Sequence, residues 1–414
     1  MEKALKPEGP DRVGLGALAF GHFCVDMQTS ALAVLTPLLY VTYNLDYAAA
    51  AVIITVNSLA SSVVQPLFGM LSDRKSLRVF LPIGCLIAST GIVLVTFAPS
   101  YWMVLLVVLF SGLGSASFHP EGTRNANYVS GSKKATGLSV FFVGGNLGFA
   151  VGPLLITMLF ALFGKAGAFG MLVPAAISSL VLWRLLPVYA AAARVRDSQK
   201  GNRSTGPTLS RGRVAYSLSL LISIISLRSM VQTGLITFIP LYFVSLNSNN
   251  HDYAAFLLTV FSLSGAAGTL VGGRLGDRFE RRIILAVTVA VATPVLLVFM
   301  NSTGFVQVLA LAIAGATLIS ASSLTVVMAQ EILPHRVGLA SGLTLGLAFG
   351  AGGLGTTGLG VFADNFGLSG TMLVLVFLPL PVVILSLILP SGKPGPGKTS
   401  LPVEQDLELA RNSK

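Results

Sequence analysis

A few ionisable side chains stand inside long apolar runs of this sequence, and their spacing limits the chemistry they can share. His22 and Asp26 are one helical turn apart. His119, Glu121 and Arg124 fall within the string His119-Pro120-Glu121-Gly122-Thr123-Arg124, and Arg228 and Gln232 are again one turn apart in a later run. Ionisable groups in an apolar interior are costly unless paired, and by default they mark functional positions. A carboxylate or imidazole whose proton affinity responds to burial suits a proton held away from water, which nominates Asp26, Glu121, His22 and His119. Arginine stays charged and presents a planar fork, so Arg228 and Arg124 suit an anion, with Gln232, Gln65 and Asn146 as polar lining. Plainer readings stand beside these. Glu121 and Arg124 also fit an ion pair within one helix, His119 fits a partner for a carbonyl freed by Pro120, and His22 fits a packing histidine. Asp26 and Arg228 have no partner of opposite fixed charge in their own runs.

The elements that must position these groups are membrane helices. The 414 residues are 53% hydrophobic and only 10% charged, with a mean hydropathy of +0.80; a soluble domain carries about 25% charged residues. Such a chain cannot cover a water-facing surface, which excludes a soluble enzyme, a nucleic-acid-binding module and a disordered protein. Two cysteines, Cys24 and Cys85, and four scattered histidines give no disulfide scaffold and no metal-ligand spacing. No nucleophile grouping is visible either, so neither a cofactor, a metal nor an enzymatic activity is expected.

A spanning helix needs about 20 apolar residues. Twelve such runs are present, at 13–41, 48–71, 79–98, 101–129, 135–163, 169–187, 214–245, 252–275, 283–300, 304–331, 337–362 and 368–390. Lys and Arg collect at the N-terminus and after the second, fourth, sixth, eighth and twelfth runs, while the other side holds only Lys165. That asymmetry places both termini in the cytoplasm, and it turns the net charge of +11 into a topology signal rather than a nucleic-acid footprint. The reading is an all-α membrane protein: a cytoplasmic N-terminus (1–12), a six-helix bundle (13–187), a basic cytoplasmic linker (188–213), a second six-helix bundle (214–390) and a disordered cytoplasmic tail (391–414). A monomer is expected, with the lipid bilayer, protons and a small molecule as its partners.

The two halves repeat each other. Gly69, Leu71, Asp73, Arg74 and Arg78 after the second run return as Gly273, Leu275, Asp277, Arg278 and Arg282 after the eighth. Thr136-Gly137-Leu138-Ser139 returns as Ser341-Gly342-Leu343-Thr344. A repeat of six helices is a transporter pattern. The paired Gly-x-Leu-x-Asp-Arg loops around a central basic linker resemble those of the major facilitator superfamily, and the resemblance covers nearly the whole chain. It implies two bundles related by a pseudo-twofold axis along the membrane normal, working by alternating access. In it Gly69 and Gly273 permit close helix crossing, and Asp73 and Asp277 cap neighbouring helices. Arg74, Arg78, Arg278 and Arg282 take the partner charges of a conformational latch. Gly144, Gly145, Gly148, Gly152 and Pro153 are similar to the fifth-helix signature of the superfamily's proton-driven exporters, the favoured reading, with plain helix packing at small residues four apart as the alternative. The His119-Pro120-Glu121 string with Gly144-Gly145-Asn146 resembles the fosmidomycin-resistance family. That resemblance implies a bacterial inner-membrane antiporter exporting a small drug or toxic metabolite, such as a phosphonate or other anion, against protons. The alternative is symport uptake of an organic acid, sugar or other metabolite on the same fold. Adding the repeat offset sets Arg228 and Gln232 opposite His22 and Asp26, so Asp26 is expected to neutralise Arg228 at rest.

Overall fold

The computed structural model describes residues 10–45, 47–75, 77–201, 210–246 and 251–390. The expected N-terminus through residue 9, the centre of the linker at 202–209 and the expected disordered tail at 391–414 lie outside them. The described residues form α1 (Arg12–Thr42), α2 (Tyr47–Ser62), α3 (Gln65–Arg74), α4 (Phe80–Phe97), α5 (Tyr101–Val129) and α6 (Lys134–Phe163). A short 3₁₀ turn follows, then α7 (Leu172–Gly201), α8 (Arg211–Leu246), α9 (His251–Arg278), α10 (Arg281–Asn301), α11 (Gly304–Ile332), α12 (Val337–Phe377) and α13 (Pro379–Ile388). Among the described residues there is no strand.

Among the described residues, nine stretches are long and apolar enough to cross a membrane. Two of them hold two passes each, folded back at glycines with positive φ: Lys134–Arg196 at Gly164 (φ 57°) and Val337–Ile388 at Gly367 (φ 76°). Only glycine takes these angles without cost. The far end of the second returning pass is held by Arg282, whose Nη1 donates to the Leu389 carbonyl at 3.1 Å. With α1 the passes number twelve. Large apolar side chains such as Trp102, Phe305 and Leu354 stand exposed on the outside, as hydrocarbon solvent permits.

Local chemistry explains the ends and the breaks. Asp11 caps α1 by accepting from Val13 N at 3.1 Å and Gly14 N at 3.0 Å. The second expected run is two helices, not one: α2 stops at Ser62 and α3 starts at Gln65, with Pro66 in its first turn. Proline has no N–H for the preceding turn but suits a helix start. The sixth run does not stop at Pro187. Helix α7 carries that proline inside it and continues to Gly201, anchored by buried Tyr189, whose hydroxyl donates to Gly14 O at 3.0 Å.

Each half has its own apolar cores, around Met27, Leu35 and Ile92 in the first and around Leu235, Phe261 and Phe299 in the second. One further core joins the halves near the basic face, where Leu324, Val326 and Val327 of α11 pack with Ala135 and Leu138 of α6.

Candidate functional site

In the first half, α1 and α5 bring three of the nominated groups together. Asp26 Oδ2 lies 3.1 Å from His22 Nε2, and Asp26 Oδ1 lies 3.1 Å from His119 Nε2. All three are buried, at 3%, 4% and 2% exposure for His22, Asp26 and His119. Asp26 is 14 residues into α1, about 20 Å along it at 1.5 Å per residue, hence near mid-depth. Each ring is held from behind: His22 Nδ1 is 2.8 Å from Phe141 O, and His119 Nδ1 is 2.8 Å from Ser115 O. His22 also stacks on Phe141, centroids 4.1 Å apart. The donor atoms lie within 4.8 Å of one another, a spacing that would admit a metal ion. Each of these atoms already faces another member of the cluster, so the cluster closes on itself.

The glycines of α6 make this geometry possible. A Cβ on Gly144, Gly148 or Gly152 would run into the carbonyl oxygens of Ala19, Phe23 and Met27, four residues apart on α1. A Cβ on Gly145 would strike the Asp26 carboxylate and the His22 ring. The ladder is therefore the seat of α1 on α6, the packing role that small residues serve between membrane helices. Pro153 lies inside α6, and its carbonyl accepts from Thr157 at 2.8 Å. Asn146 is half-buried nearby, with no polar partner among the described residues.

Glu121 does not join the cluster. Its carboxylate accepts from the Ser72 hydroxyl, from Asn125 Nδ2 at 2.8 Å and from Arg124 Nη1 at 3.4 Å. Arg124 also donates to Ser72 O at 2.8 Å and to the Tyr128 hydroxyl at 2.9 Å. This is the ion-pair reading of Glu121 and Arg124, extended from one helix to α3. Gln65, at the start of α3, is fully buried, and neither end of its amide has a partner.

The second half places Arg228 in α8, buried at 4% exposure. Its Nη1 donates to Gln232 Oε1 at 3.1 Å, Ser322 Oγ at 3.1 Å and Leu318 O at 3.5 Å, while its buried Nε has no acceptor. No carboxylate among the described residues pairs with it. The expected Asp26–Arg228 pair is thus replaced by two separate arrangements, because Asp26 is satisfied by histidines of its own half. The repeat register explains the miss. A Cβ on Gly352 would meet Ser229 and Thr233, as one on Gly145 meets His22 and Asp26. The three matched pairs are each 207 residues apart, so Ser229 and Thr233, not Arg228 and Gln232, occupy the places of His22 and Asp26.

The nominated aspartates clasp the halves reciprocally. Asp73 at the end of α3 accepts from Gly338 N and Leu339 N at 2.8 Å each, the N-terminus of α12. Asp277 at the end of α9 accepts from Ala135 N and Thr136 N at 2.9 Å each, the N-terminus of α6. Each puts an anion where a helix dipole favours one. A Cβ on Gly69 would hit Gly338 O, and one on Gly273 would hit Ser139 and Ala135. The arginine partners differ from expectation. Arg74 and Arg278 are exposed and make no ion pair among the described residues, whereas Arg124 lies 3.9 Å from Asp73 and Arg281 lies 3.9 Å from Asp277. Arg282 serves Leu389 O and Glu280. Two further contacts, Asn127 Nδ2 to Gln330 Oε1 at 2.5 Å and Ser139 Oγ to Ser323 Oγ at 2.9 Å, close the same face. Ser72, Ser322, Arg281 and Asn127 were not nominated from sequence. Serines and one more arginine near a helix end carry no signal of their own until the packing is known.

Two six-helix halves clasped across one basic face, with ionisable groups buried at the centre of each, are the build of a secondary active transporter. A family model described as Major Facilitator Superfamily matches residues 18–356 and 249–411, and the chain belongs to that superfamily. It is 32% identical over 383 residues to the fosmidomycin resistance protein of Escherichia coli (strain K12), spanning 92% of this chain and 93% of that one. It is 33% identical over 374 residues to an uncharacterized MFS-type transporter, YfnC, of Bacillus subtilis (strain 168), spanning 90% and 91%. Among solved structures, FucP in the outward conformation aligns with a TM-score of 0.68 at 14% identity, over 91% of this chain and 98% of that one.

Proposed function

We propose that this chain exports a small toxic anion, a phosphonate or a drug of similar charge, from the cytoplasm in exchange for protons. The observation that carries the reading is Arg228. A buried guanidinium with no carboxylate partner among the described residues and an unused Nε is an expensive arrangement that an incoming oxyanion would relieve. Gln232 and Ser322 hold the Nη1 side in place, which leaves the Nε edge for the substrate. The His22–Asp26–His119 cluster is the proton carrier in this scheme, and Glu121 with Arg124 is a structural partner of the latch. The positive-inside pattern makes the basic face cytoplasmic, in the inner membrane of a bacterium, with the protein acting as a monomer.

Substrate and proton sites lie in different halves, so they compete through conformation rather than by direct displacement. Protons load while the cytoplasmic latch is closed, and the anion loads while it is open. The name of the E. coli relative supports the export direction and the choice of fosmidomycin as first probe. The test is transport in proteoliposomes under an imposed pH gradient, with fosmidomycin and a panel of anionic and cationic drugs. Protons moving opposite to an anionic substrate are the expected result. Protons moving with the substrate would make the protein a symporter, and indifference to every anion would remove the role of Arg228.

A further inference from the structure

We infer that the His22–Asp26–His119 cluster stores two protons at once, one in each imidazole–carboxylate contact, while the latch is closed. The inference rests on the carrier role proposed above and adds the count. Carbonyl oxygens only accept, so the 2.8 Å contacts to Phe141 O and Ser115 O require an N–H on the Nδ1 of both rings. Each Nε2 then faces an Asp26 oxygen at 3.1 Å. In neutral Nδ1–H rings both Nε2 atoms are lone pairs, and an ionised carboxylate has only lone pairs to offer. Neither contact is a hydrogen bond until a proton enters it.

With one proton, one contact stays a lone pair against a lone pair in a buried site, at a cost of about 1–3 kcal/mol for the unmet group. With none, Asp26 has no donor, since the described residues supply it with none other than the two histidines. With two, every polar atom of the cluster is satisfied and the charge is +1, spread over two rings and a carboxylate. From α6 the cluster meets Gly145 and Phe141. The thiols of Cys24 and Cys85 turn to the carbonyls of Pro174 and Gly21, and Glu121 and Arg124 turn to Ser72.

The chain has four histidines, which makes the count measurable. His251→Gln with His335→Gln leaves only the two cluster rings. The full chain, labelled with ¹⁵N-histidine and ¹³C-aspartate in lipid nanodiscs at pH 7, then reports four ring nitrogens and nine aspartate carboxyls, of which Asp26 is the signal lost in Asp26→Asn. The expected total is four protons, either on all four nitrogens or on three nitrogens and the carboxyl. A total of three or fewer, or a neutral ring protonated at Nε2, overturns the inference. Asp26→Asn is the second reading: its amide donates to one ring and accepts from the other, so the total should fall to three, on one doubly protonated and one neutral ring. Four protons persisting in Asp26→Asn would also overturn it. The spectrum reads the cluster whether or not transport is proton-driven, so its failure and the failure of the carrier role are separate results.

Discussion

The centres of the two halves are built on one plan and filled with opposite chemistry. In the first, Gly145 lies against His22 and Asp26, and the nearby helix α5 supplies His119. In the second, Gly352 lies against Ser229 and Thr233, and α11 supplies Ser322 and a carbonyl to Arg228. The first centre closes on itself, with every ionisable group met by another. The second is left with a guanidinium that its own half does not neutralise. A repeat can therefore keep its packing while one copy becomes a titratable cluster and the other a fixed cation. What is kept is the glycine face, because a Cβ there has nowhere to go; what diverges are the side chains opposite it.

The comparison can be broken most forcefully at Arg228. Arg228→Ala should weaken binding of an anionic substrate by about 30-fold or more, as expected for removing one side of a buried charge pair at about 2–5 kcal/mol. Arg228→Lys should recover only part, having lost the fork. Calorimetric titration with the transported anion checks both, and unchanged affinity in a folded Arg228→Ala protein would make the two centres equally structural. Next comes the glycine face. Gly145→Ala forces a methyl onto Asp26 and His22 and should cost about 1–3 kcal/mol, read as a lower unfolding temperature and weakened response to a pH gradient. Gly352→Ala meets two small hydroxyl side chains and should cost less; the reverse order would mean that the second centre is the more tightly packed. Ser322→Ala removes one support of Arg228 and should lower anion affinity about fivefold, near 1 kcal/mol, without altering proton coupling. The smallest effects belong to the clasps. Asp73→Asn and Asp277→Asn should each favour opening of the basic face by about 0.3–1 kcal/mol, seen as a faster inter-half distance change between spin labels, with substrate affinity held. Opposite signs at the two aspartates would end their equivalence.

Much of this architecture is legible in the residues, for a physical reason. Hydrocarbon demands unbroken apolar runs and tolerates few charges, so twelve passes and the basic face stand out directly. Asp73 and Asp277 are equally legible, because a motif repeated at one offset points to one role in each half. The breaks are less so: Pro66 divides a helix while Pro187 and Pro153 sit within theirs, and only the neighbours decide which carbonyls are freed. His22 and Asp26 announce themselves one turn apart, but His119 reaches them from 93 residues away, through the seating of α5 on α1. Arg228 is legible from its place inside an apolar run, but its partners Gln232, Ser322 and Leu318 O are not all within reach of the sequence. The offset is 204 residues at Gly69 and Gly273, 205 at Gly137 and Gly342 and 207 at Gly145 and Gly352, so most of the change falls inside one helix, where no loop marks it.

The division of the second pass at Val63 and Val64 makes α3 a short lever. Of its ten residues, Gln65–Arg74, the ninth is the aspartate that grips α12, about 12–13 Å from the pivot at 1.5 Å per residue. A tilt of roughly five degrees about that pivot sweeps the carboxylate through about 1 Å, enough to stretch the two 2.8 Å bonds beyond hydrogen-bonding range. The outer part of the same pass need not move. Release of this clasp is thus geared down to a small angular displacement of one rigid rod, and the stroke that opens this one of the two clasps is shorter than the diameter of a water molecule.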